Sequence, residues 1–170
     1  VFTNHSRYDL YAQAYFPIMP EELSHGMLQA YMPSFCQATE LVTTPTQGMV
    51  KVLRDLKVDS HIEVVPNGID MKHFNNAIPL PRSDFGFKDD DILLVYAGRI
   101  ALEKNIPFLL QSFAGVAQAI SNTHLLIIGT GIQQYEDEIK EMVNELNRQG
   151  RIHFTGKVEY KKLPAYFAMC

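Results

Sequence analysis

No stretch of this sequence is apolar for long enough to cross a bilayer as a helix, which removes a membrane span as its organising feature. Cysteine is scarce. Cys36 and Cys170 are the 2 cysteines in 170 residues; they make neither a disulfide framework nor a metal-ligand spacing, and buried thiols in a reducing cytosol are the default reading. Val1 stands where an initiator methionine would, and the basic-then-apolar order of a secretory signal is missing. The chain therefore reads as opening in mid-protein, as a fragment. With no sign of secretion, the sequon Asn4-His5-Ser6 reads as a chance match. Basic residues are outnumbered, with 15 Lys and Arg against 19 Asp and Glu for a net charge of -4. No dense basic stripe offsets that balance, which argues against a general nucleic-acid binder. Gly129-Thr130-Gly131 has no third glycine at the spacing of a dinucleotide fingerprint, so a Rossmann dehydrogenase is disfavoured.

What is present is a globular pattern, 46% apolar and 20% charged, in a chain long enough to bury a sizeable core. Residues 1 to 3 read as the tail of a strand with His5 just past it. Tyr8, Tyr11 and Tyr15 follow in a segment left unassigned, closed by Pro17 and Pro20. Residues 21 to 31 read as a helix that Pro33 interrupts, and 35 to 38 as its resumption. A short strand at 40 to 44 precedes Thr46, a helix cap for 48 to 56, where Met49, Val52, Leu53 and Leu56 share a face. Residues 61 to 65 read as another strand. The turn-rich Pro66-Asn67-Gly68-Ile69-Asp70 then opens a long irregular stretch to Asp91. A domain boundary is placed there: residues 1-66, a linker and entry at 67-91, and a second domain at 92-170. The second domain alternates regularly, with strand 92 to 97, helix 105 to 120, strand 124 to 128, helix 132 to 148 and strand 152 to 155. A helix begins near Leu163-Pro164 and is cut off at Cys170, so that domain reads as unfinished. Strands alternating with helices imply parallel sheets with right-handed crossovers, an α/β class.

The loop after residues 92 to 97 stands out. Ile92 to Ala97 is continuously apolar, as suits a strand buried on both faces of a parallel sheet. Gly98 breaks it, Arg99 and Lys104 follow, and Asn105 can cap the next helix with Pro107 in its first turn. A loop at the carboxyl end of a parallel strand, next to a helix start, can hold an anion between a forked cation and a point charge. Local chemistry alone leaves this level with solvated surface charges, Glu103 pairing one of them. Asp89-Asp90-Asp91 contains an Asp-x-Asp pattern but precedes a strand, opposite the ligand edge, and reads as a solvated run, as does Lys161-Lys162. No metal site is expected.

Gly98-Arg99 followed five residues later by Lys104 resembles the donor-phosphate motif of retaining GT-B glycosyltransferases, the glycosyl transferase group 1 family (family four type). Four further segments fit in the family's order: Val64 to Asp70 with Phe74, Leu126 to Gly131, Ile152 to Val158, and Leu163 to Ala168. Thr3 to Tyr11 resembles the acceptor-side segment of bacterial diacylglycerol glucosyltransferases, where a His-Ser or His-Thr pair precedes spaced tyrosines. Soluble-acceptor members have related histidines at the same place.

The resemblance implies a GT-B fold of two Rossmann-like domains with parallel sheets, both incomplete in this chain. It implies a hexosyltransferase that moves a sugar, glucose favoured, from a nucleotide-sugar such as UDP-glucose or GDP-mannose to a lipid or saccharide hydroxyl, with no cofactor. Arg99 and Lys104 would neutralise the departing diphosphate. Gly98, Gly129 and Gly131 would line the donor, and the turn at Gly156-Lys157-Val158 would meet the base through its backbone. His5 would face the sugar. Tyr8 and Tyr11 are open between packing and an acceptor groove. The glycine-rich loop and downstream glutamate pair of the family lie outside these residues, so the chain alone is expected to be inactive. Cytoplasmic placement follows, and peripheral association with the inner face of the plasma membrane is an implication of the branch alone. Two alternatives stand beside this: a non-catalytic nucleotide-binding relative, and a GT-B-fold nucleotide-sugar epimerase, which should lack the Gly-Arg-x-x-x-x-Lys spacing.

Overall fold

The computed structural model describes residues 1-15, 18-146 and 150-170, and the chain divides into two compact units, Val1–Ile69 and Asp70–Cys170. In the first unit, strands β1 (Phe2–Thr3), β2 (Val42–Thr44) and β3 (Ile62–Val64) form a parallel sheet in that order. The register pairs Thr3 with Thr43 and Thr43 with Glu63. The tyrosine segment is helix α1 (Tyr8–Tyr15), preceded by an Arg7 guanidinium that hydrogen-bonds Asp9 in the first turn at 2.5 to 3.2 Å. Pro17 lies outside the described residues.

Helix α2 (Glu21–Gln37) corrects one expectation, because it runs through Pro33 without a break. An interior proline costs a helix roughly 3 kcal/mol. Met32 and Cys36 lie on either side of it, 3% and 0% exposed, packed with Val42, Leu53, Leu56 and Val58. That shared core offsets the missing hydrogen bond. Helix α3 (Gln47–Asp55) starts as expected: the Thr46 hydroxyl accepts from the Met49 amide at 3.2 Å, and Met49 and Leu53 are buried.

The second unit opens with a short helix α4 (Met71–Asn75), whose N-cap Asp70 carboxylate accepts from the Lys72 and His73 amides. A 3-10 turn at Arg82–Phe85 follows. The second parallel sheet then runs β4 (Ile92–Ala97), β5 (Thr123–Ile128) and β6 (Ile152–Gly156), with β5 central. Helices α5 (Ile106–Ala119) and α6 (Gln133–Leu146) follow β4 and β5, and α7 (Leu163–Met169) follows β6 after a 3-10 turn at Tyr160–Lys162. Residue 148, the expected end of the helix, lies outside the described residues. The two-residue period of β5 sorts its side chains between two cores. Leu125 and Ile127 pack with Leu110 and Phe113 of α5 and Ile139 and Val143 of α6. Leu126 and Ile128 pack with Phe87, Leu93 and Met169.

Burial on both faces is complete in β5 and partial in β4. In β4, Leu93 and Val95 pack into one core and Tyr96 against the other, while Ile92 and Leu94 are 44% and 40% exposed among the described residues. Asp91 also departs from the solvated run. Its carboxylate accepts from the Lys88 amide at 2.7 Å and approaches the His124 ring at 3.5 Å, while Asp89 and Asp90 are exposed. Arg82 ties this amino-terminal side together, donating to the Asp89, Asp91 and Met169 carbonyls.

Candidate functional site

Three loops leave the carboxyl ends of β4, β5 and β6, and backbone hydrogen bonds continue past the strands to join them. Gly98 donates to the Ile128 carbonyl at 2.9 Å, Ile100 to Thr130 at 3.0 Å, and Gly129 to Gly156 at 2.9 Å. Ile100 and Gly131 add a parallel bridge. Gly98, Arg99, Gly129, Gly131 and Gly156 thus share one rim.

The rim explains two of its glycines. Gly129 has φ +140, and a Cβ there would overlap the Gly98 carbonyl oxygen; a Cβ on Gly131 would overlap that of Ile100. The close backbone approach that these residues permit is therefore of loop to loop. The Gly131 amide already has an acceptor, the Glu136 carboxylate from the first turn of α6, which Lys140 also meets at 3.5 Å.

Arg99 is exposed and its guanidinium donates to Glu103, four residues on, at 2.7 Å. The local pairing weighed from the sequence is thus formed. Lys104 ends a 3-10 turn at Leu102–Lys104, with its amide on the Ala101 carbonyl at 2.9 Å. Its side chain is exposed and has no ion pair among the described residues. Asn105 corrects another expectation: it holds the N-cap position of α5 in a left-handed conformation, φ 48 and ψ 48, with no side-chain capping bond. The 3-10 turn forces the chain to reverse its twist there, and asparagine tolerates that region better than most residues. Its carbonyl accepts from Phe108 and Leu109 instead.

Gly156, with φ +71, starts the third loop. Lys157 is exposed, and Val158 packs its side chain on the Leu93-Leu126 cluster, so Val158 offers a ligand its backbone. Tyr96, absent from the sequence-level set of candidates, sends its hydroxyl to the Arg99 carbonyl at 2.8 Å. Burial, and next the Glu103 carboxylate, push its pKa up. An aromatic ring two places before the glycine, in an otherwise aliphatic run, was the available signal. Among the described residues, no group of three or more His, Cys, Asp or Glu side chains is arranged to hold a metal ion.

The remaining candidates lie in the first unit. His5 is exposed, two residues past the carboxyl end of β1. Tyr8 is exposed and Tyr11 half-buried on α1. Asn4 is 1% exposed, with its Oδ1 on the Ser6 amide, which removes it as a glycan acceptor in the folded chain.

Residues 77–170 match the sequence model of the glycosyl transferases group 1. The chain belongs to that family. Residues 1–73 match the model for glycosyltransferase family 4. The whole rim lies within the group 1 match. The alpha-monoglucosyldiacylglycerol synthase of Streptococcus pneumoniae is 25% identical over 98% of this chain and 38% of that protein. A GDP-mannose-dependent phosphatidylinositol monomannoside mannosyltransferase of Corynebacterium glutamicum is 27% identical over 59% of the chain and 26% of its own length. Among solved structures, the sucrose-phosphate synthase of Thermosynechococcus elongatus superposes with a TM-score of 0.74 at 21% identity, over 99% of this chain and 42% of that one. Anabaena HepE, solved with UDP and glucose, gives 0.71 at 18% identity, over 99% and 44%. The group 1 chain therefore has the α/β GT-B architecture and spans less than half the length of these relatives.

Proposed function

We propose that the whole protein is a retaining hexosyltransferase. It moves a sugar, glucose favoured, from a nucleotide-sugar such as UDP-glucose or GDP-mannose to a hydroxyl of a lipid or saccharide. The observation that carries this reading is the position of Arg99 and Lys104: two cations on one loop at the carboxyl edge of the second sheet, inside the segment that matches the group 1 family.

In this reading the donor diphosphate meets Arg99 and Lys104. Charge accumulates on the diphosphate as the bond to the sugar breaks, so fixed cations stabilise the transition state more than the ground state. Arg99 leaves Glu103 for the phosphate oxygens, exchanging one charge-assisted hydrogen bond for others. The backbone at Gly156, Lys157 and Val158 takes the base, and Gly98, Gly129 and Gly131 shape the rim that receives the diphosphate. His5 is the first unit's candidate for contact with the sugar, with Tyr8 and Tyr11 beside it in sequence as acceptor-side candidates. The leaving phosphate assists deprotonation of the acceptor hydroxyl on the same face of the sugar, so neither a nucleophilic side chain nor a metal is required. The relatives' names, a glucosyldiacylglycerol synthase and a phosphatidylinositol mannoside mannosyltransferase, support a glycolipid acceptor. That acceptor suits action at the cytoplasmic face of a membrane, by peripheral contact.

The test is a transfer assay of the whole protein with UDP-glucose and GDP-mannose against diacylglycerol and saccharide acceptors, with NMR of the product. Transfer with the anomeric configuration of the donor kept is expected. Absence of transfer from every nucleotide-sugar, or an inverted linkage, contradicts the proposal.

A further inference from the structure

Tyr96 interrupts the aliphatic run of β4 just before the rim. Its ring is half-buried against the core formed with α5 and α6. Its hydroxyl reaches forward past Gly98 to donate to the Arg99 carbonyl at 2.8 Å. Gly98 makes room for that reach: a Cβ there would lie 2.9 Å from the Tyr96 hydroxyl oxygen and 3.2 Å from ring carbon Cζ. Arg99 is thereby held at its carbonyl by Tyr96 from the strand, while its guanidinium donates to Glu103 of the 3-10 turn at 2.7 Å. A tyrosine hydroxyl is protonated in the neutral range, and burial moves that of Tyr96 further up, so it is a constant donor.

We propose that Tyr96 is a positioning residue for the donor diphosphate: it fixes the Gly98-Arg99 turn through the Arg99 carbonyl and so sets where the guanidinium projects. This rests on the phosphate-binding reading of Arg99 given above. A preorganised cation loses less freedom when the ligand arrives, and that saving appears as affinity.

The experiment is a double-mutant cycle read by calorimetric titration of UDP and GDP into the wild type, Tyr96→Phe, Arg99→Ala and the double variant. Tyr96→Phe keeps the half-buried ring and deletes one hydrogen bond, so binding of whichever nucleotide the wild type takes should weaken about 3- to 10-fold, with the melting midpoint close to wild type. In the Arg99→Ala background the same substitution should change that affinity less than about 2-fold, because the group Tyr96 acts through is gone. Equal losses in both backgrounds, no loss in either, or a collapse of the fold on losing the hydroxyl would each overturn the proposal. The underlying reading fails separately, if the wild type binds neither UDP nor GDP or Arg99→Ala binds the nucleotide as tightly as the wild type; the proposal then falls with it.

Discussion

Arg151 is 7% exposed and donates to the carbonyls of Ile120 and Ser121 at 3.0 Å each, closing the turn between α5 and β5. Losing Arg151 removes two charge-assisted hydrogen bonds from part-buried carbonyls. Arg151→Met should therefore destabilise the chain by about 1 to 3 kcal/mol, read from urea unfolding. Two half-buried histidines make a second residue-scale prediction. Nδ1 of His124 lies 3.1 Å from Nε2 of His153, Phe87 packs against both rings, and burial followed by His124 lowers the His153 pKa. The unfolded chain then binds the proton more readily than the folded one. Stability is full above the ordinary histidine value of about 6.5 and falls as pH drops through the folded value. The melting midpoint should fall as the pH is lowered below about 6.5, and less steeply in His153→Phe. At this scale Arg99 and Lys104 were legible because charge beside a glycine is visible in a string of letters. The Asp91-His124-His153 contact was not, since it needs the register of three strands.

Among the elements, the helices with a clean apolar face, α3, α5 and α6, were legible from spacing, and α3 from its Thr46 cap as well. Helix α1 was missed, although Tyr8, Tyr11 and Tyr15 stand at i, i+3 and i+7, the spacing of one helix face. The run through Pro33 in α2 was hidden: local cost was readable, but the core contacts that outweigh it are long-range. The rim loops yield a comparison of glycines. Gly129→Ala forces a Cβ into the Gly98 carbonyl at φ +140, whereas Gly156→Ala meets nothing within 4 Å and bears only its φ of +71. The first should cost about 3 kcal/mol or more and abolish nucleotide binding; the second should cost about 1 to 2 kcal/mol. Thermal unfolding of both variants checks the ranking.

For the molecule as a whole, ordered motifs from Val64 to Ala168 carried the family, and they did so because turns and strand ends are short-range patterns. Exposure of Ile92 and Leu94 on β4 was beyond that reach, since a continuous apolar run does not show which of its positions distant elements cover. Among the described residues no helix is long and apolar enough to cross a membrane.

The central claim is that the Gly98 to Lys104 loop binds the diphosphate of a nucleotide-sugar, and calorimetric titration of UDP and GDP into the protein, Arg99→Ala and Lys104→Ala tests it most directly. The account predicts that the protein binds one of the two nucleotides and that each substitution weakens that binding by about 2 kcal/mol. Nucleotide affinity unchanged in both variants would contradict it.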